Sequence, residues 1–312
     1  VITLQYQIPK IMSTTPKLLQ ENDKVAIVSS ARKITLPQVL PTIQLLASWG
    51  LNPVVGQTIG KNFNQFAGTD KERAEEFQKM LDDDSIKAIF CARGGYGSAR
   101  ILDLVDFSSL KKNPKWIIGY SDVTAILSHI YYRCGIEGVH GIMAINIQDR
   151  QHNVAVDSLK QILFEGKNTI NADYHFLNTL GCAEGELIGG NLSVLYSLLG
   201  SESFGDTKDK ILIIEDLDEY LYHIDRMVLA LRRANKLGNL KALLVGAFTD
   251  MHDNETPFGL SAEQIIKNVC EDLKIPVAFN VPVGHIGTQN NAFIYGRNTK
   301  VEITDKGTKI EQ

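Results

Sequence analysis

Only four cysteines occur, Cys91, Cys134, Cys182 and Cys270, and none stands in a Cys-x-x-Cys pair. That spacing argues against a zinc site and fits a reducing compartment, so a cytoplasmic protein is expected. No run of Lys or Arg is present, and the formal net charge is -4. Nucleic acid and anionic membrane surfaces are therefore excluded as expected partners. The longest apolar stretches fall far short of the ~20 residues that span a bilayer. The N-terminal VITLQYQIPKIM lacks a basic region followed by an apolar one, so it does not read as a signal peptide. Residues 1–12 fit poorly with the segment after them and are expected to be a disordered or extraneous leader. The remaining composition has the balance of a soluble globular protein: 312 residues, 44% hydrophobic and 22% charged. That length suffices for one large or two ordinary domains.

The chain alternates strand and helix patterns. KVAIVS (24–29) reads as a buried parallel strand, and 37–49 has helical spacing that ends at Gly50. A strand over 51–55 and a helix over 69–81, capped by Thr69, come after it. Next come a strand over 86–91, helical periodicity over 98–105, a strand over 116–119 and a helix over 122–134. This order implies a doubly wound parallel sheet. Residues 165–185 are turn-rich and polar, reading as a linker or as strands of a different kind of domain. Beyond them the pattern predicts a helix over 191–199, a strand over 210–215, helices over 224–235 and 261–273 and a strand over 242–248. Short strands are expected near Val277, Ala292 and Val301. The expected fold is α/β: an N-terminal doubly wound domain (13–168) and a smaller mixed α/β domain (180–312).

In open α/β sheets, ligands gather at the carboxyl ends of the strands. Gly119-Tyr120-Ser121 sits at such an end. It partly matches the G-x-S-x-G nucleophile elbow, with Val123 in place of the last Gly. Ser121 is thus either a helix cap or a nucleophile on a sharp turn. Arg93-Gly94-Gly95-Tyr96-Gly97 also follows a strand. It is either a tight turn or a backbone cradle for an anion. It matches neither a dinucleotide fingerprint nor a phosphate loop. His285 in VPVGHIG and His140 in VHGIM compete as the base. Glu215, where ILII ends, is a strand-end charge or the acid that orients an imidazole. Two acid–histidine sets, His223 with Asp225 and Asp216, and Asp250 with His252 and Asp253, lack metal-ligand spacing. No metal and no cofactor are expected.

The segments ARGGYG, GYSDVTAIL, GELIGGNLSVL, ILIIEDLDEYLYHIDRMVLAL and VPVGHIG resemble, in order and spacing, the motifs of the LD-carboxypeptidases. That family of serine peptidases also includes the microcin C immunity proteins. The resemblance covers about residues 20 to 305, with one departure: His140-Gly141-Ile142 stands where the family often has His-Gly-Pro. It implies a Ser121–His285–Glu215 triad in an interdomain cleft, with backbone N–H groups at Gly95 and Asp122 as the oxyanion hole. Arg93, Gly94 and Asn191 are expected substrate contacts, with Arg93, by its position, a candidate for the substrate carboxylate. The implied reaction is removal of the terminal D-alanine from a peptidoglycan-derived tetrapeptide during wall recycling. Cleavage of peptidyl or aminoacyl nucleotides is the alternative, and a non-catalytic α/β binding module a third reading. A homodimer is expected from the resemblance.

Overall fold

A computed structural model of the chain describes residues 13–147 and 153–312. The expected leader, 1–12, lies outside the described residues. The N-terminal half runs β1 (Lys24–Val28), α1 (Leu36–Ser48), β2 (Asn52–Val55), α2 (Asp70–Asp82), β3 (Ile86–Cys91), β4 (Trp116–Gly119), α3 (Thr124–Cys134), β5 (Gly138–His140) and α4 (Val154–Glu165). The C-terminal half runs β6 (Thr169–Asp173), β7 (Gly181–Asn191), α5 (Leu192–Ser197), β8 (Ile211–Leu217), α6 (Leu221–Arg233), β9 (Ala242–Thr249), α7 (Ala262–Val269), β10 (Val277–Ala278), β11 (Phe293–Tyr295), β12 (Asn298–Thr304) and β13 (Gly307–Glu311).

Two sheets result. The first has the order β11-β5-β4-β3-β1-β2. Strands β1 to β5 pair in parallel, and β11 closes the edge antiparallel to β5. The second has the order β10-β9-β8-β7-β12-β13-β6, parallel from β10 to β7 and antiparallel from β7 to β6. This is the expected α/β architecture of a doubly wound sheet followed by a mixed one. The β-branched runs explain the buried strands: β4 is buried at every position, as is β8 from Ile211 to Asp216. Burying one such side chain contributes roughly 1.5–3 kcal/mol. One core cluster joins Ile117, Val123 and Leu127 to Leu187, Leu192 and Ile213, so the halves share packed apolar surface.

Local chemistry sets the element ends. Thr69 caps α2, accepting the Glu72 N–H while the Glu72 carboxylate takes the Thr69 N–H. Gly135 and Gly166 end α3 and α4 in the left-handed region. Several expectations change. Residues 98–104 form a 3-10 helix, not an α-helix. The helix expected from 122 begins as a 3-10 turn, Ser121–Val123, and becomes α-helical only at Thr124. The stretch 165–185 supplies β6 and the start of β7, polar because the antiparallel strands expose one face. The helix expected over 191–199 spans 192–197, with Asn191 as its cap. The one expected over 261–273 spans 262–269, capped by Ser261 and Gln264.

Candidate active site

Ser121 stands on a strained turn. Its φ is 59°, a left-handed value uncommon outside glycine. The turn is tight because Val123 folds back over Gly119, where a Cβ would lie 2.9 Å from Val123 Cγ1. The 3-10 turn and α3 are entered through Tyr120 and Val123, neither of which caps with its side chain. The Ser121 hydroxyl makes no hydrogen bond to a described residue. Ser121 is therefore not the cap of the helix that follows it.

The glycine loop after β3 lies against this turn. A Cβ on Gly94 would stand 3.4 Å from Ser121 Cβ and 3.5 Å from the Asp122 backbone nitrogen. A buried polar frame ties loop and turn together. The Asp122 carboxylate accepts the Ser98 N–H at 2.8 Å and the Gly97 N–H at 3.3 Å. The buried Arg73 guanidinium donates to the Gly97 carbonyl at 3.0 Å, and also to the Ser30 carbonyl and Asp70. Ser30 and Ser98 hydroxyls meet at 2.9 Å. Burial holds the Asp122 carboxyl above its usual range, against the pull of these donors.

The other half brings an imidazole and a carboxylate. Glu215 is fully buried near the end of β8, and its Oε2 lies 2.7 Å from His285 Nδ1. Gly284 permits this approach, since a Cβ there would come 2.8 Å from that oxygen. Burial alone would lower the His285 pKa. The hydrogen bond and charge of Glu215, with Asp216 beyond, outweigh it and hold the imidazole above 6.5. The Glu215 bond at Nδ1 leaves Nε2 as the free nitrogen. The His285 ring packs on Tyr120 with centroids 4.8 Å apart, so the imidazole of one half touches the serine turn of the other. Burial pushes the Tyr120 phenol up to about 12, keeping it neutral.

Asp216 plays a bracing part. It accepts from Asn191 Nδ2 and the Ser193 N–H, both at 2.8 Å, and from the Leu217 N–H at 2.9 Å. Burial, then the Glu215 charge, push it up to about 7. Asn191 is consequently committed: its amide holds Asp216 and its oxygen caps α5 at Val194. Arg93 donates to the Lys33 carbonyl at 3.2 Å. Gly95 has φ 99° and lies under the Arg32 side chain. His140 is fully buried, stacked on Phe293 at 4.6 Å, and neither ring nitrogen finds a partner. Burial, with His285 nearby, pushes it down to about 3, so it is a neutral packing group.

The acid–histidine sets separate into pairs. His223 Nδ1 meets Glu219 and His252 Nε2 meets Asp218, each at 2.5 Å. Among the described residues no three His, Cys, Asp or Glu side chains are grouped to hold a metal. No helix among them is long and apolar enough to cross a membrane. Sequence reasoning missed the Asp122 side chain, Arg73 and Tyr120. A buried-strand context with an acid directly after the serine was the available signal.

Comparison with known proteins bears on this arrangement. The model of the LD-carboxypeptidase N-terminal domain matches residues 25–141, and that of the C-terminal domain matches residues 184–301. A probable murein peptide carboxypeptidase of Bacillus subtilis is 34% identical over 95% of this chain and 94% of its own length. The chain belongs to the LD-carboxypeptidase family. A murein tetrapeptide carboxypeptidase of Pseudomonas aeruginosa is 28% identical to this LD-carboxypeptidase over 89% of the chain and 93% of its own length. The fold is shared with the muramoyltetrapeptide carboxypeptidase of Oxalobacter formigenes, with a TM-score of 0.84 at 23% identity over 92% of this chain and 98% of that one. It is shared as well with MccF in complex with glutamyl sulfamoyl guanosine, with a TM-score of 0.83 at 23% identity over 95% and 98%.

Proposed function

We propose that this LD-carboxypeptidase is a serine enzyme that removes the terminal D-alanine from murein tetrapeptide. Ser121 is the nucleophile, His285 the general base and Glu215 the group that orients it. The observation that carries the reading is the strained Ser121 with an uncommitted hydroxyl, beside Gly94 and across Tyr120 from the His285–Glu215 pair. The residues 13–168 and 180–312 are read as its two domains, the nucleophile in the first and its partners in the second.

His285 Nε2 takes the Ser121 proton as Oγ attacks the scissile carbonyl. The carbonyl oxygen becomes an oxyanion held by the Asp122 N–H and by backbone N–H groups of the Gly94–Gly95 loop. Glu215 stabilises the imidazolium and fixes its tautomer. The imidazolium then protonates the D-alanine nitrogen, the C–N bond breaks, and an ester to Ser121 remains. Water, deprotonated by His285, attacks the ester and frees the shortened peptide. The Ser121–His285 hydrogen bond that this step requires would form with substrate in place.

Four free cysteines support work in a reducing cytoplasm on recycled wall fragments. A homodimer is part of the same reading, checked by light scattering on the purified chain. The test of function is mass spectrometry of a tetrapeptide digest. The expected result is loss of one D-alanine, abolished by Ser121→Ala with an unchanged melting temperature. Release of D-alanine by that variant would overturn the role of Ser121. Hydrolysis of an acyl-sulfamoyl nucleoside instead of the tetrapeptide would move the substrate to the nucleotide class.

A further inference from the structure

The order β4-β3-β1 in the first sheet sets three strand-end loops side by side. Ser121 follows β4, Gly94 and Gly95 follow β3, and Arg32 follows β1. Adjacent strands lie about 4.8 Å apart, so the row is roughly 10 Å long. The contacts along it are close. A Cβ on Gly94 would meet Ser121 Cβ at 3.4 Å, and one on Gly95 would meet Arg32 Cδ at 2.4 Å and Nε at 2.6 Å. Arg32 therefore lies over Gly95, one residue from the glycine beside the serine.

The backbone of Arg32 is fixed while its head is free. Its carbonyl accepts the Ser29 hydroxyl at 2.6 Å, and the following Lys33 N–H donates to the Gln65 carbonyl at 2.9 Å. Its guanidinium, on an exposed residue, makes no hydrogen bond or ion pair to any described residue. Arg73, Arg100, Arg232 and Arg297 each hold a carboxylate instead. Arg93 is turned to the Lys33 carbonyl, and Lys33 Nζ donates to Asn62 Oδ1 at 3.2 Å.

A carboxypeptidase cuts one residue from a free carboxylate. One residue spans at most about 3.6 Å, so with the scissile carbonyl at Ser121 the carboxylate falls along this row. A guanidinium fork matches two carboxylate oxygens with paired N–H donors. We infer that Arg32 reads the free C-terminal carboxylate of the substrate and so makes the enzyme an exopeptidase. This rests on Ser121 being the attacking group. Arg32 is a specificity residue here and takes no part in proton transfer.

The test separates binding from turnover. The Ser121→Ala protein is titrated calorimetrically with a tetrapeptide ending in D-alanine and with the same peptide ending in D-alanine amide. The acid is expected to bind roughly 10- to 100-fold tighter than the amide, the range for a charge-assisted pair. Adding Arg32→Ala should erase that preference by weakening the acid alone, and Arg32→Lys should restore part of it. In the enzyme with Ser121 intact, Arg32→Ala should raise KM for the acid by a similar factor with kcat within about fivefold, the amide being unaffected. Equal affinity for acid and amide, a preference that survives Arg32→Ala, or no tetrapeptide binding at all overturns the assignment. Failure of the unaltered enzyme to release D-alanine would instead sink the catalytic reading, while the titration still decides Arg32.

Discussion

The carboxylate of Asp122, the residue after the candidate nucleophile, lies 2.8 Å from the backbone nitrogen of Ser98, at the end of the glycine loop. On the proposed mechanism one residue offers its own N–H to the oxyanion, while its side chain seats the neighbouring loop. Asp122→Ala would leave the Gly97 and Ser98 N–H groups buried without acceptors. The expected stability loss is about 2 kcal/mol, with kcat down roughly 100-fold and KM changed little. Asp122→Asn, which keeps one acceptor oxygen, should fall between. Thermal melts and steady-state kinetics check both.

Gly94 needs no unusual φ, so alanine fits its backbone. The added methyl would press on Met143 Cε at 3.1 Å and stand between Ser121 Cβ and the Asp122 nitrogen. Met143 is flexible enough to move. Gly94→Ala should therefore melt within about 1 kcal/mol of the parent and lose roughly 100-fold or more in kcat, a cost of the order of losing one oxyanion donor. Wild-type turnover in this variant would show that the oxyanion lies elsewhere.

On the proposed mechanism a neutral His285 accepts the Ser121 proton. Glu215 raises its pKa, so kcat/KM should fall as pH drops through a value above 6.5. In Glu215→Gln that acid limb shifts to lower pH, because the raising charge is gone. At the same time kcat should drop by up to about 10⁴-fold, as the tautomer is no longer fixed. A pH–rate profile of the two proteins shows both effects. The raised His285 pKa also adds stability that is full below pH 6.5 and is lost as pH rises through the folded value.

His140 carries the opposite signature. With its pKa pushed down to about 3, the native protein excludes a proton that the unfolded chain binds near 6.5. Stability attributable to it is lost as pH falls from about 6.5 toward 3. His140→Leu should reduce the acid destabilisation seen by denaturant titration at pH 5 relative to pH 8. Activity should stay within about tenfold, whereas His285→Ala abolishes it.

Much of the candidate site was legible in the sequence. The G-x-S turn, the carboxylate where ILII emerges and the histidine between glycines all depend on short-range rules about strand ends. The Thr69 cap and the parallel, doubly wound character of the first sheet were readable from local signals too. Ser121 itself could not be resolved from a cap by pattern, since serine suits both; the structure shows that it does not cap the helix. The bond from the Asn191 amide to Asp216, 25 residues away, had no local signal. Arg32 carries no motif, and only the β4-β3-β1 order puts it beside the glycine loop. The polar stretch before β7 hid its strands because an antiparallel face open to water does not read as a continuous apolar run.

Strand β11, from the far end of the chain, closes the sheet that carries the serine by pairing Phe293 with His140. His285 lies only eight residues before it. A nascent chain on the ribosome could display a complete serine turn and glycine loop for most of its synthesis and still hydrolyse nothing. On the proposed reading, a chain cut before residue 285 would keep the serine turn and the glycine loop and lack the base.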